Sequence, residues 1–158
     1  IGGGGERKAD LDRQLKYRQM LRKYGIEIRK EYIREIEGGV ESGAEAMEQL
    51  LGAGLPLPTA VIAVNDFQAV GIMRALQEHG MRIPEDISVA SFDNTYIAQT
   101  CMPRLTCAGY DYDEFGKLLI DTAVRVIHDE ESPRIQIMKA GLIIRGSCAP
   151  AAGEEDEA

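Results

Sequence analysis

The stretch TAVIAVNDFQAVGIMRALQEHGMRIPEDISVASFDN, residues 59–94, decides the fold of this chain. It begins with an uninterrupted apolar run at residues 61–64, which is typical of a strand buried on both faces of a parallel sheet. A second apolar run at residues 87–92 follows a segment whose apolar residues recur at helical spacing and which Gly80 is placed to end. The pattern predicts a strand, a helix and a second strand, which together form one βαβ unit.

Polar residues follow both predicted strands directly. Asn65 and Asp66 come after the first run, and Asp93 and Asn94 come after the second. Ligands of open α/β sheets bind in the crevice beyond the carboxyl ends of the strands, so these four residues are the first candidates for a binding site. Three of them have a structural alternative. Asp66 is expected to cap the helix, while Asn65 and Asp93 could equally be loop residues that bond their own backbone.

The sequence before residue 59 continues the alternation of helix and strand. A helix with leucines at positions 11, 15 and 21 should end at Gly25, a strand is expected near residues 32–36, and a second helix is expected around residues 44–51. The order helix, strand, helix, strand, helix, strand predicts the α/β class with a doubly wound parallel sheet.

The regular alternation of helix and strand ends after Asn94. A brief strand is expected at residues 105–108, followed by an amphipathic helix at 115–127 whose apolar face must be buried against another layer. Two short strands, 135–138 and 142–144, are expected to close the pattern.

Composition narrows the class of protein. The chain has 158 residues, of which 44% are hydrophobic and 28% charged, as expected for one soluble globular domain. Its net charge of −8 makes it a poor partner for a phosphate backbone, so this chain alone is not expected to bind DNA. The acidic tail at 151–158 is expected to be disordered.

The sequence also narrows the compartment in which the protein is expected and the chemistry it could perform. The sequence shows no signal peptide and no apolar run long enough for a membrane helix, and its three cysteines lack metal-type spacing, which favours a reducing cytoplasm. The glycine run at residues 2–5 lacks the ending of a phosphate loop and is interpreted as a turn. No nucleophile with a base and no metal cluster is apparent, so we expect no cofactor, no metal and no enzyme.

Four strings resemble the lactose-repressor and galactose-repressor (LacI/GalR) family of bacterial transcription regulators, in its effector-binding domain. They are PTAVIAVND with the helix after it, IPEDISVASFDN, PRLT and LIIRGSCAP, and their order and spacing together are specific. The resemblance implies a two-lobed, periplasmic-binding-protein-like fold that holds a small effector, expected to be a sugar, between its lobes. It also implies a cytoplasmic homodimer that reaches DNA only through a separate amino-terminal helix-turn-helix, which this chain lacks.

The resemblance further implies a division of the chain. Residues 1–104 would form most of the carboxyl-terminal lobe, incomplete at its start. Residues 105–139 would cross into the other lobe, and residues 140–150 would return as a strand.

Carried over by resemblance, the effector contacts fall on Arg13, Asn65, Asp93 and Tyr110. Arginine offers a rigid fork of hydrogen-bond donors, and aspartate offers two acceptor oxygens. Asparagine offers one donor group and one acceptor oxygen. Together these side chains suit the adjacent hydroxyls of a sugar. Many members have a stacking aromatic residue where this chain has Gly38, and many have glutamine where it has Tyr110. The identity of the effector therefore stays open.

The helix that begins near Phe67 has a counterpart at the subunit interface in the family. The resemblance assigns Phe67, Val70 and Arg74 to a dimer interface. A transport-type sugar-binding protein is the alternative function, and an α/β enzyme is the least favoured one.

Overall fold

A computed structural model describes residues 8–128 and 131–150 of the chain. The turn predicted at residues 2–5 and the tail at 151–158 lie outside these ranges. The described helices are α1 (Lys8–Lys23), α2 (Val40–Leu51), α3 (Asp66–Glu78), α4 (Tyr96–Thr100) and α5 (Tyr112–Ile127), with a 3₁₀ helix at Lys30–Tyr32. The described strands are β1 (Ala60–Ile62), β2 (Ser88–Asp93), β3 (Thr106–Gly109) and β4 (Gly141–Ile143).

The four strands form one sheet in the order β1-β2-β3-β4. β1, β2 and β3 are parallel, which confirms the predicted α/β class and the parallel centre of the sheet. β4 runs antiparallel to β3 and pairs Ala108 with Leu142. Within the described residues, the sheet therefore has three parallel strands and one antiparallel edge strand.

Helices lie on both faces of this sheet. Val89 and Ser91 of β2 point to the side of α3 and are buried. Phe92 points to the opposite side because successive residues of a strand alternate, and there the guanidinium of Arg13 in α1 lies 4.8 Å from the centre of its ring. This arrangement is the doubly wound one that the sequence predicted.

The hydrophobic core lies between the sheet and the pair α2 and α3. Its fully buried side chains include Met47, Ile72, Leu76, Ile87, Val89 and Leu105. Where the two helices meet, a methyl group on Gly71 would collide with the carbonyl oxygen of Val40, and one on Gly43 would collide with that of Gln68. The helices therefore touch through their backbones.

Gly80 ends α3 as predicted. It adopts a left-handed backbone with φ of 73°, and its N–H donates to the carbonyl of Gln77. The N–H of Met81 donates to the carbonyl of Leu76 at 3.0 Å, which completes a Schellman motif.

Two predicted strands are absent from the described residues. The segment 32–36 forms the end of a 3₁₀ helix and a single bridge at Glu35. The Tyr32 hydroxyl donates to the carbonyl of Pro56, and the Tyr32 side chain packs against the core. In the segment 135–138, Ile135 and Ile137 are 79% and 87% exposed, and no strand lies beside them in the described ranges.

The amphipathic helix is confirmed as α5, but its apolar face finds no partner layer within the described residues. No residue of α5 is buried. Leu119, Ile120, Val126 and Ile127 are between 54% and 77% exposed. The division of the chain between two lobes stays a prediction, and an exposed α5 is what that division requires.

Candidate functional site

The carboxyl ends of β1, β2 and β3 bring three of the four predicted contacts to one edge of the sheet. Ile62 pairs with Ala90, so Asn65 and Asp93 lie at the same level three residues further on. Asp93 also pairs with Gly109, which is followed by Tyr110. The parallel register therefore places Asn65, Asp93 and Tyr110 on neighbouring strand ends, a position that the sequence predicted for Asn65 and Asp93.

The fourth contact, Arg13, reaches the same edge from α1. Its Nη2 atom lies 3.7 Å from Oδ1 of Asp93, and the two side chains are 34% and 42% exposed. The guanidinium also lies over the Phe92 ring, so a ring and a carboxylate from consecutive residues of β2 position it. A fork of donors and a pair of acceptors thus stand side by side, partly open to solvent.

Asn65, and not Asp66, caps α3. Its Oδ1 atom accepts the N–H of Gln68 at 2.8 Å, and its φ of −151° is the extended backbone that a capping residue adopts. The prediction for Asp66 was wrong by one position, because Asp66 is already the first helical residue. Capping occupies the side-chain oxygen of Asn65 and leaves its amide group as the donor at the sheet edge.

Asp66 is fully buried and binds the polypeptide on either side of Asp93 and Asn94. Its Oδ1 accepts the Ser91 hydroxyl at 2.5 Å, and its Oδ2 accepts the N–H and hydroxyl of Thr95 at 2.6 and 2.7 Å. Buried carboxylates require such donors because an unpaired buried charge is costly. Asp66 therefore belongs to the framework of the site.

Asn94 belongs to the framework as well. Its Nδ2 donates to the carbonyl of Tyr110 at 3.2 Å, and its Oδ1 accepts Nη2 of Arg145 at 2.6 Å. Both polar ends of the side chain are thus used within the protein, which gives Asn94 a structural role. A β-carbon on Gly109 would lie 2.7 Å from the carbonyl oxygen of Asp93, so only glycine fits beside this turn.

An aromatic cluster borders the site. The ring of Tyr110 lies 5.3 Å, centre to centre, from the rings of both Tyr112 and Phe115. Burial raises the pKa of the Tyr112 hydroxyl, and the nearby Tyr110 and Asp93 raise it further. The Tyr112 hydroxyl therefore remains a neutral donor at neutral pH.

The sequence matches the family described as "Periplasmic binding protein-like domain" over residues 1–148. The chain belongs to this family. It is 37% identical over 134 residues to the HTH-type transcriptional repressor CytR of Escherichia coli (strain K12), a match that covers 83% of this chain and 38% of CytR. The predicted resemblance to LacI/GalR regulators is confirmed.

Solved structures of LacI-family regulators are also similar to this chain. A sugar-binding LacI-family transcriptional regulator from Escherichia coli, complexed with phosphate, superposes with a TM-score of 0.79 at 29% identity and matches 94% of this chain and 54% of that protein. The Lac repressor dimer bound to operator and the anti-inducer ONPF superposes with a TM-score of 0.75 at 27% identity, and it matches 94% of this chain and 51% of that protein. The chain thus spans about half the length of these structures, and 38% of CytR.

Sequence reasoning assigned no role to two residues that hold this periplasmic binding protein-like domain together. Arg145 joins Asn94 to the carbonyl of Leu105, to which its Nη1 donates at 2.7 Å. The Ser147 hydroxyl donates to the carbonyl of Val89 at 2.6 Å and accepts the N–H of Thr106 at 2.8 Å. Both residues lie in the string LIIRGSCAP, which signalled the family without revealing these long-range contacts.

The face of α3 that was assigned to a dimer interface is partly exposed. Phe67 is 49% exposed, and Arg74 forms two hydrogen bonds with Glu41, at 3.0 and 2.6 Å. The fully buried Ile72 points into the core instead, so this helix divides its apolar residues between core and surface. The interface itself stays a prediction.

The described residues contain no group of three or more His, Cys, Asp or Glu side chains that could hold a metal ion. None of the helices in residues 8–128 and 131–150 has the length and apolarity needed to cross a membrane.

Proposed function

We propose that this domain senses a small sugar or related metabolite in a bacterial transcription regulator of the LacI/GalR type. The observation that carries the proposal is the pairing of Arg13 with Asp93 at the carboxyl ends of the strands, beside Asn65 and Tyr110. In this proposal the effector inserts between the two side chains and replaces their weak contact with hydrogen bonds of its own.

The chemistry of the four side chains suits a polyhydroxylated ligand. The Arg13 fork can donate to two oxygens, and the Asp93 carboxylate can accept from two hydroxyls. The Asn65 amide adds a donor, and Tyr110 adds an apolar ring face with a hydroxyl. Because each sugar hydroxyl both donates and accepts, this mixture can satisfy a vicinal pair.

The larger assembly is part of the same proposal. The chain covers 38% of CytR, and in our proposal operator binding belongs to a helix-turn-helix outside residues 1–158 of a cytoplasmic homodimeric regulator. The net charge of −8 supports a DNA reader separate from this domain. A transport protein or an enzyme is not favoured, because the relatives named above are transcriptional regulators.

Nuclear magnetic resonance on the chain tests the effector site directly, because it detects weak binding and locates it. Titration with D-ribose, D-glucose and D-galactose should shift the backbone amides of Asn65, Asp93 and Tyr110 and the side-chain Nε–H of Arg13 for at least one sugar. Shifts that are absent for all three sugars, or that fall elsewhere on the sheet, would count against the site.

A matched pair of variants sharpens the test. Asp93→Asn removes the carboxylate at the site and should weaken sugar binding by about tenfold, the usual effect of losing a charged hydrogen bond. Asp86→Asn also removes a carboxylate paired with an arginine, but it lies before β2, at the opposite end of the strand. Equal weakening by both variants would contradict the proposal.

A further inference from the structure

We propose that Asp66 is a positioning residue that fixes the left-handed turn at Asp93 and Asn94 and thereby aims the Asp93 carboxylate at Arg13. The inference deepens the proposed function and rests on it, because the aim of Asp93 matters for recognition only if Asp93 contacts the effector. Asp66 itself is buried and does not reach the ligand.

The turn has an uncommon backbone. Asp93 has a φ of 100° and Asn94 a φ of 63°, the only two positive φ values at non-glycine residues in the described ranges. Side chains disfavour this region, and such conformations persist only where the surrounding structure holds them. Something besides local preference must therefore fix the turn.

The Asp66 carboxylate holds both ends of the turn. Ser91 lies two residues before Asp93, and Thr95 follows Asn94 directly. One carboxylate oxygen accepts from Ser91, and the other accepts both donors of Thr95. The distance between the two ends of the turn is thus set by one rigid, fully buried group.

The middle of the turn is held from the opposite side. The Asn94 side chain is bonded to Arg145 and to the carbonyl of Tyr110, and Gly109 leaves room for the Asp93 backbone. With Asn94 fixed and both ends attached to Asp66, Asp93 directs its side chain toward α1. There it meets Arg13 at 3.7 Å.

A carboxylate suits this arrangement because it accepts on both oxygens, while Ser91 and Thr95 present hydroxyl and N–H donors. An asparagine could still contact both ends by donating to the Ser91 oxygen, since a hydroxyl also accepts. Alanine, in contrast, leaves neither end of the turn attached. The Asp66 side chain would serve a purely structural role equally well, so the test must separate orientation from stability.

The variants are Asp66→Ala and Thr95→Val, with Thr95→Ser as the conservative rescue. Thr95→Val removes one of the three hydrogen bonds at almost constant volume, so it carries the test if Asp66→Ala does not fold. Ser147→Ala is the matched control, because it removes a buried hydroxyl with two bonds near the starts of β2 and β3, away from the turn.

Three readouts are taken on each folded variant. They are the strong intraresidue contact between HN and Hα that marks a positive φ at Asp93, the resonance of the Arg13 Nε–H, and the affinity for D-ribose. Asp66→Ala and Thr95→Val should lose the positive-φ signature, shift the Arg13 resonance and weaken D-ribose binding by about tenfold, while Thr95→Ser and Ser147→Ala retain all three.

Two results would overturn the inference. One is an unchanged Asp93 signature in every folded variant at Asp66 and Thr95. The other is the same loss in Ser147→Ala, which would mean that the turn responds to general loosening. If the wild-type chain binds no D-ribose while Thr95→Val still loses the Asp93 signature, the positioning role stands and the proposed sugar site fails.

Discussion

The backbone of Gly71 in α3 packs directly on the carbonyl oxygen of Val40 at the start of α2. Gly43 makes the reciprocal contact with the carbonyl of Gln68, so the helices cross with glycine on each side of the contact. The first turn of α3 adjoins the candidate site, and this crossing holds that turn against α2.

Gly71→Ala should therefore destabilise the chain by about 1–3 kcal/mol or more, because the added methyl group forces the two helices apart. Gly116→Ala is the control. Gly116 also lies in a helix, but it has open space around it, so alanine there should stabilise by about 0.5–1 kcal/mol. Urea denaturation followed by circular dichroism measures both. Midpoints that move in the same direction would contradict the close crossing.

The isolated chain should bind its effector weakly. The site is an open edge of one sheet, with Arg13 and Asp93 each more than a third exposed, whereas small ligands are normally enclosed over most of their surface. Calorimetry against common pentoses and hexoses should show no submicromolar site. A tight site would mean that one lobe alone encloses the ligand.

The chain should also self-associate. α5 exposes Leu119, Ile120, Val126 and Ile127, and each large apolar side chain left in water forfeits roughly 1.5–3 kcal/mol. Dimerisation, or exchange of the segment 105–138 between two chains, would bury this face. Sedimentation equilibrium should show dimers at micromolar concentration.

Ile120→Glu should shift this equilibrium toward monomers. Lys117→Gln is its control, since it makes the same one-unit change of charge at an exposed position of the same helix. A wild-type chain that is monodisperse and monomeric, or an equal response of both variants, would rule out α5 as the associating surface.

Acid should weaken one identified contact. The Arg82 side chain and N–H donate to Asp86 and lower the pKa of its carboxyl from the ordinary value of 3.8 to about 2. Because the folded pKa is the lower one, this stabilisation is complete above the ordinary value and is lost as pH falls through the folded value. The wild-type free energy of unfolding should therefore drop more steeply than that of Asp86→Asn between pH 3.8 and about 2. Parallel curves of unfolding free energy against pH for the two proteins in that interval would contradict this contribution of Asp86.

The parts of the fold that could be predicted are those with local causes. Apolar periodicity located β1, α3 and β2, and a glycine with a left-handed backbone is the local reason for the end of α3 at Gly80. The parallel order of the strands was enough to predict that Asn65 and Asp93 lie at the same edge of the sheet. These inferences needed no knowledge of distant contacts.

The rest depended on contacts between residues far apart in sequence. Asparagine and aspartate are equally good caps, so the sequence could not show that Asn65 caps α3. The donors from Ser91 and Thr95, 25 and 29 residues further on, bind Asp66 instead. The direction of β4 and the role of Arg145 could not be predicted either, because both depend on contacts with residues far away in sequence.

Ser147 gives the chain an order of assembly. Its hydroxyl joins Val89 and Thr106, from which it is separated by 58 and 41 residues. Contacts between residues so far apart form slowly, because the intervening chain must first be brought back. On the ribosome, β2 and β3 are made well before Ser147, so this junction of the sheet can close only after α5 and β4 have been synthesised. Until then the carbonyl of Val89 and the N–H of Thr106 lack this hydroxyl as a partner.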